Sequence, residues 1–128
     1  MNPSGIINIG YFRLARLVSQ KSKHKIKVGC VLVMHGKPVA MGFNRIKSHP
    51  RSRKCCKTLH AEMDAIISSQ TDLTGGVAYV YREKFDGSLG LSRPCLNCYK
   101  ALSRAGIKKI YYSTEAGYSI ERTGELSV

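Results

Sequence analysis

His60 and Glu62 stand two residues apart in the stretch TLHAEMDAI, and Cys95 and Cys98 stand three apart in PCLNC. A thiol pair at i and i+3 in the first turn of a helix lies on one side of it, at the N-terminal mouth. Unpaired backbone N–H groups make that mouth electropositive, which lowers thiol pKa values and favours the thiolates that zinc takes as ligands. His60 stands at the start of a second helix that leads into a strand, so the two helix mouths can face one another across the strand ends. One imidazole and two thiolates leave a fourth position for water, the pattern of a catalytic rather than a closed structural zinc site. Glu62, in the same first turn but off the face of His60, can reach past the helix end. There it is placed to take a proton from such a water and return it to a substrate nitrogen and leaving group. A second arrangement uses Cys56, four residues before His60. With Cys95 and Cys98 it would close a Cys3His structural site, and the chain would be a passive zinc module on nucleic acid. That alternative leaves Glu62 without a role.

These side chains need elements that carry them to one place. Phe12, Ala15 and Val18, with Ile9 and Leu14 near them, recur at helical spacing and predict a helix over 8–21. VGCVLVM is rich in β-branched residues, HGK is a turn, and PVAMGF follows as the second strand of a hairpin. The near-continuous apolar character of the first strand implies cover on both faces. A basic loop without hydrophobic period then runs from Asn44 to Lys57, through Pro50. Leu59, Met63, Ile66 and Ile67 predict a helix over 59–70, and GGVAYVYRE a third strand. After the turn-rich KFDGSLGLSR, Pro94 is expected in the first turn of a helix over CLNCYKALSRAG, which Gly106 stops. IKKIYYS is a fourth strand. The residues left have room for a turn around Ala116 and Gly117 and one short strand, but not for a crossover helix and a strand, so an antiparallel hairpin closes the chain. The expected fold class is α/β: three layers, α/β/α, around a mixed five-stranded sheet whose fourth and fifth strands are antiparallel, in a single domain over 1–128.

Composition limits the function. The 128 residues are 43% hydrophobic, with no apolar run of membrane-spanning length and no signal-peptide pattern at the start. The expected location is therefore cytoplasmic, the host's cytosol if the gene is viral, with no membrane partner. Five cysteines, an odd number without an export signal, argue against a disulfide framework and for reduced thiols. The net charge of +13 is unevenly placed: residues 1–61 hold 13 Lys and Arg and no acid, whereas 62–128 hold eight of each sign. An acid-free half of that kind is the electrostatic footprint of a phosphate-rich partner. Arg45, Lys47, Arg51, Arg53, Lys54 and Lys57, in the loop leading to His60, are the expected nucleic-acid contacts. Tyr81, Arg82 and the loop through Ser92 to Arg93 are expected on the substrate rim. No obligate protein partner is evident, and a homo-oligomer is compatible with the sequence.

HAE followed some thirty residues later by PCLNC resembles the H-x-E and P-C-x-x-C signature of the zinc-dependent cytidine and deoxycytidylate deaminase superfamily. The element order from Val28 to Ser113 also looks like that fold. The resemblance implies zinc as cofactor on His60, Cys95 and Cys98, and Glu62 as general acid/base. It further implies attack of zinc-activated water at C4 of cytosine, or C6 of adenine, with loss of ammonia. Asn44 matches the sugar-binding asparagine that many members place after the second strand, and the backbone N–H of Ala61 would face the base. Histidine as first ligand looks like deoxycytidylate, tRNA and polynucleotide deaminases, whereas the short hairpin end looks like free-nucleoside enzymes and some toxin-type DNA deaminases. The charge tips the expectation to a cytosine deaminase acting on single-stranded DNA, ahead of RNA, with deoxycytidylate or another free nucleotide as the alternative.

Overall fold

The computed structural model of the chain describes residues 8–46 and 58–123. Strand β1 (Lys27–Met34) pairs antiparallel with β2 (Lys37–Phe43) on one side and with a distant strand, β5 (Val77–Glu83), on the other. β5 runs parallel to β6 (Lys109–Thr114), and β6 turns back into β7 (Gly117–Arg122) as an antiparallel hairpin. The sheet order is β2-β1-β5-β6-β7, mixed and five-stranded as expected.

Both faces of that sheet are covered, which is why β1 reads as an unbroken apolar run. Alternate residues sort to opposite sides. Cys30, Leu32, Ala78, Val80 and Ile110 pack toward α2 (Ala61–Ser68) and α3 (Leu96–Arg104). Val31, Val33, Tyr79, Tyr81 and Tyr111 pack toward α1 (Ile9–Ser19), against Phe12 and Ala15. The layers approach closely where glycine permits it. A Cβ at Gly29 would stand 2.0 Å from the Ala15 carbonyl oxygen in α1, and one at Gly42 only 2.4 Å from the Ala61 carbonyl oxygen and the Ala65 nitrogen in α2.

Helix ends carry the signals expected of them. The Asn8 side chain caps α1 by accepting from the N–H groups of Gly10 (2.8 Å) and Tyr11 (3.4 Å). At the end of α3, Gly106 takes φ +97°. Its N–H donates to Ser103 O, and that of Ile107 to Leu102 O, each at 3.0 Å, the paired bonds of a Schellman stop.

Three local expectations are corrected. Residues 44–57 are not wholly loop: β3 (Arg45–Ile46) pairs antiparallel with β4 (Thr58–Leu59), pinning the two ends of the segment together. Helix α2 is shorter than the predicted 59–70, because Leu59 lies in β4 and His60 takes the extended conformation of an N-cap, φ −70° and ψ 152°. Pro94 precedes the N-cap Cys95 rather than standing in the first turn of α3. No helix among the described residues is long and apolar enough to cross a membrane.

Candidate active site and metal centre

Two helix starts meet on the α2–α3 side of the sheet. His60 caps α2 and Cys95 caps α3, neither side chain closing a capping hydrogen bond. Cys98, one turn into α3, is buried, while Cys95 is exposed. His60 Nδ1 lies 3.3 Å from Cys98 Sγ and 3.7 Å from Cys95 Sγ, and the three donor atoms all fall within 4.8 Å of one another. In tetrahedral zinc with ordinary bond lengths, an imidazole nitrogen and a thiolate sulfur are roughly 3.6 Å apart. The observed separations lie on either side of that value, and one nitrogen with two sulfurs suits a borderline-soft ion. Burial lowers the His60 pKa, which keeps the imidazole neutral and its lone pair available. Burial also raises the Cys98 thiol, helped by the nearby charges of Glu62 and Cys95. A bound dication would oppose that shift and hold the thiolate.

Glu62 is 5% exposed, and burial pushes its carboxyl up to about 7 against the opposing effect of a hydrogen bond from its own backbone. It lines a cleft of about 290 Å³ with His60, Ala61 and Cys95. Asn44, Arg82, Ser92 and Arg93, all expected at the substrate, line the same cleft. Each has a further commitment. The Asn44 amide accepts from the Val28 N–H and donates to Ile26 O, both at 2.8 Å, so it extends the β1–β2 ladder by one side-chain step. Its second amide hydrogen is left for a ligand. The buried Ser92 hydroxyl donates to Val80 O (2.7 Å) and accepts from the Ser113 N–H (2.7 Å). Ser113 in turn donates to Gly90 O (2.7 Å) and accepts from the Arg82 N–H (3.0 Å), so two hydroxyls tie the 90–93 segment to β5 and β6. Arg93 pairs with Glu121 of β7 through two bonds, Nε to Oε1 at 2.7 Å and Nη2 to Oε2 at 3.2 Å.

Tyr81 is the correction among these residues. It does not line the cleft: its ring is buried in the layer under α1, and its hydroxyl donates to Glu83 at 2.9 Å. Its neighbour Arg82 takes the cleft side by strand alternation. Arg45, expected on nucleic acid, is ion-paired to buried Asp64 and lies 5.3 Å over the Phe43 ring. Asp64 also accepts from the Phe43 N–H at 3.1 Å, joining α2 to the end of β2. The other five residues expected on nucleic acid, Lys47, Arg51, Arg53, Lys54 and Lys57, and also Cys56, lie outside the described residues. Sequence reasoning overlooked Ile26 and Val28 as cleft walls, and Asp64, Ser113 and Glu121 as the partners of Arg45, Ser92 and Arg93. An acid inside the helix that follows HAE was the one available signal, for Asp64.

The model of the family described as cytidine and deoxycytidylate deaminase zinc-binding region matches residues 8–114. The chain belongs to that family. It is a zinc-dependent hydrolytic deaminase by that membership, and the His60, Cys95 and Cys98 cluster could hold its metal. An uncharacterized deaminase in the luxG 3′ region of Aliivibrio fischeri is 32% identical over 124 residues, covering 90% of this chain and 78% of that one. The deoxycytidylate deaminase of Saccharomyces cerevisiae is 28% identical over 120 residues; the match covers 80% of this chain but only 36% of the yeast protein. Among solved structures, the dCMP deaminase of cyanophage S-TIM5 in apo form superposes with a TM-score of 0.66 at 29% identity, over 89% of this chain and 86% of the phage chain. The same enzyme in complex with dCMP and dUMP gives 0.64 at 26% identity, over 89% and 84%.

Proposed function

We propose that this deaminase acts on deoxycytidylate as a free nucleotide, converting its cytosine to uracil. The observation that carries the reading is the likeness to the cyanophage dCMP deaminase over nearly the whole of both chains. It replaces single-stranded DNA as the leading substrate, because that expectation rested on the spread of basic residues. Of the six named for it, only Arg45 lies among the described residues, and Arg45 is engaged with Asp64.

His60, Cys95 and Cys98 are assigned as the zinc ligands and Glu62 as the catalytic acid/base. Zinc, when bound, supplies the Lewis acidity that makes water nucleophilic at neutral pH. The buried Glu62 carboxylate moves two protons in turn: the first passes from the attacking water to the ring nitrogen, and the second from the hydroxyl that the attack leaves on C4 to the amino group, which departs as ammonia. Ala61 is the first residue of α2, where a backbone N–H has no acceptor within the helix, and it faces the base. Asn44 would offer its remaining amide hydrogen to the sugar, and Arg82 and Arg93, which line the same cleft, are assigned to the phosphate.

The test is uracil formation by zinc-loaded protein from dCMP, cytidine and a cytosine-containing oligonucleotide, at about 50 and 200 mM salt. Turnover of dCMP with a KM that moves only a few-fold with salt is expected. Uracil from the oligonucleotide alone, with affinity falling about 10³-fold or more between the two salts, would overturn the proposal in favour of polynucleotide.

A further inference from the structure

Arg93 lines the cleft with half of its side chain exposed (50%), and Glu121 beside it is largely buried (17%). Besides His60, Arg82 and Arg93 are the two basic side chains among the described residues that line the cleft. A guanidinium carries five N–H donors in a rigid fork and can grip anions along more than one edge. Glu121 takes the Nε and Nη2 side, at 2.7 and 3.2 Å. Both N–H groups of Nη1 and the outer one of Nη2 remain, a second fork at the end of the side chain. The support behind Glu121 is firm: it pairs with Ile110 in the β6–β7 ladder, and the carbonyl of the next residue, Arg122, accepts from the Tyr99 hydroxyl of α3 at 3.2 Å.

We propose that Glu121 is a positioning residue for phosphate recognition: it holds Arg93 side-on at the cleft so that the end-on fork receives the substrate's phosphate monoester. This rests on the free-nucleotide reading above. A carboxylate next to an arginine has two opposed effects on an incoming anion. It subtracts charge, but at a half-exposed site solvent and salt have already weakened that charge, and Arg82 supplies a second one. It also removes the rotamer freedom that a free arginine must give up on gripping a phosphate, and this gain survives in solvent. Orientation therefore outweighs neutralisation here. Glu121 lies in the β6–β7 hairpin, beyond the stretch 8–114 that the family model matches.

Steady-state kinetics of the zinc-loaded full chain on dCMP and deoxycytidine test the assignment, for wild type, Glu121→Ala, Glu121→Gln, Arg93→Ala and the Arg93→Ala/Glu121→Ala double variant. Glu121→Ala is expected to raise KM for dCMP about tenfold with kcat retained, and to lower the dCMP-to-deoxycytidine ratio of kcat/KM by the same factor. The isosteric Glu121→Gln, which keeps one acceptor and guards against a folding defect, is expected to fall between the two. The double variant is expected to match Arg93→Ala, since Glu121 acts through Arg93. The assignment is overturned if Glu121→Ala keeps or lowers the dCMP KM, raises KM equally for both substrates, or adds its loss to that of Arg93→Ala. A wild-type chain that turns over deoxycytidine as well as dCMP sinks the free-nucleotide reading and this assignment together. A wild type that prefers dCMP beside an unaffected Glu121→Ala sinks only the assignment.

Discussion

Glu62 occupies the first turn of α2, buried to 5% exposure, and opens on the cleft that His60 and Cys95 also line. Its separation by two residues from His60 puts it off the line of the metal donors, so losing its proton-transfer function need not disturb them. Glu62→Gln keeps shape and burial and removes only the ability to carry the proton. Turnover of dCMP should fall by about 10²- to 10⁴-fold, while zinc content by elemental analysis stays at the wild-type value; a variant that keeps turnover, or that loses its zinc, contradicts the assignment. At this scale the sequence was legible wherever function is set by residue type at short spacing, as in HAE and PCLNC. It was opaque for Asp64, Ser113 and Glu121. Each of these acts by touching a residue 19 to 31 positions away, and no local pattern announces such a contact.

Strands and helices determine whether those residues meet. Elements with a strong period, α1 and the strands β1, β5 and β6, could be read directly, whereas β3 and β4 have two residues each and so carry no period at all. Tyr81 shows another boundary. In a strand covered on both sides apolar residues fall on both faces, so alternation is certain but the identity of each face is not, and only the packing of α1 decides that Arg82 takes the cleft. The register of α2 on β2 is more sharply defined, because at Gly42 the helix backbone approaches to where a methyl group would stand. In Gly42→Ala the helix must withdraw by about an ångström or the strand must bend, at roughly 1–3 kcal/mol of stability. Since α2 carries His60 and Glu62, the same displacement pulls one donor away from Cys95 and Cys98. Denaturant unfolding should show the loss, and zinc titration should show weakened affinity in the fraction that folds. Unchanged zinc affinity would mean that the metal donors do not depend on the seating of α2.

Charge and metal act on the molecule as a whole. The excess of +13 points to a phosphate-bearing partner, but net charge does not say whether that phosphate belongs to a chain or to a single nucleotide. The proposed metal site has a structural consequence as well, because its donors come from helix starts 35 and 38 residues apart, with β5 and the 84–93 segment between them. An ion held there fastens α2 to α3 in the folded chain and has no such preformed site in the unfolded one. Binding of that kind stabilises by about 4 kcal/mol when free ligand is at 1,000 times its dissociation constant. Removing zinc with a chelator should therefore lower the melting temperature by many degrees, and adding zinc back should restore it. Cys98→Ser supplies the control: it should melt near the chelated wild type and respond little to chelator or added zinc. A wild-type melting curve indifferent to chelation, in protein that elemental analysis shows to hold zinc at the outset and none at the end, would place the metal elsewhere than between the two helix starts.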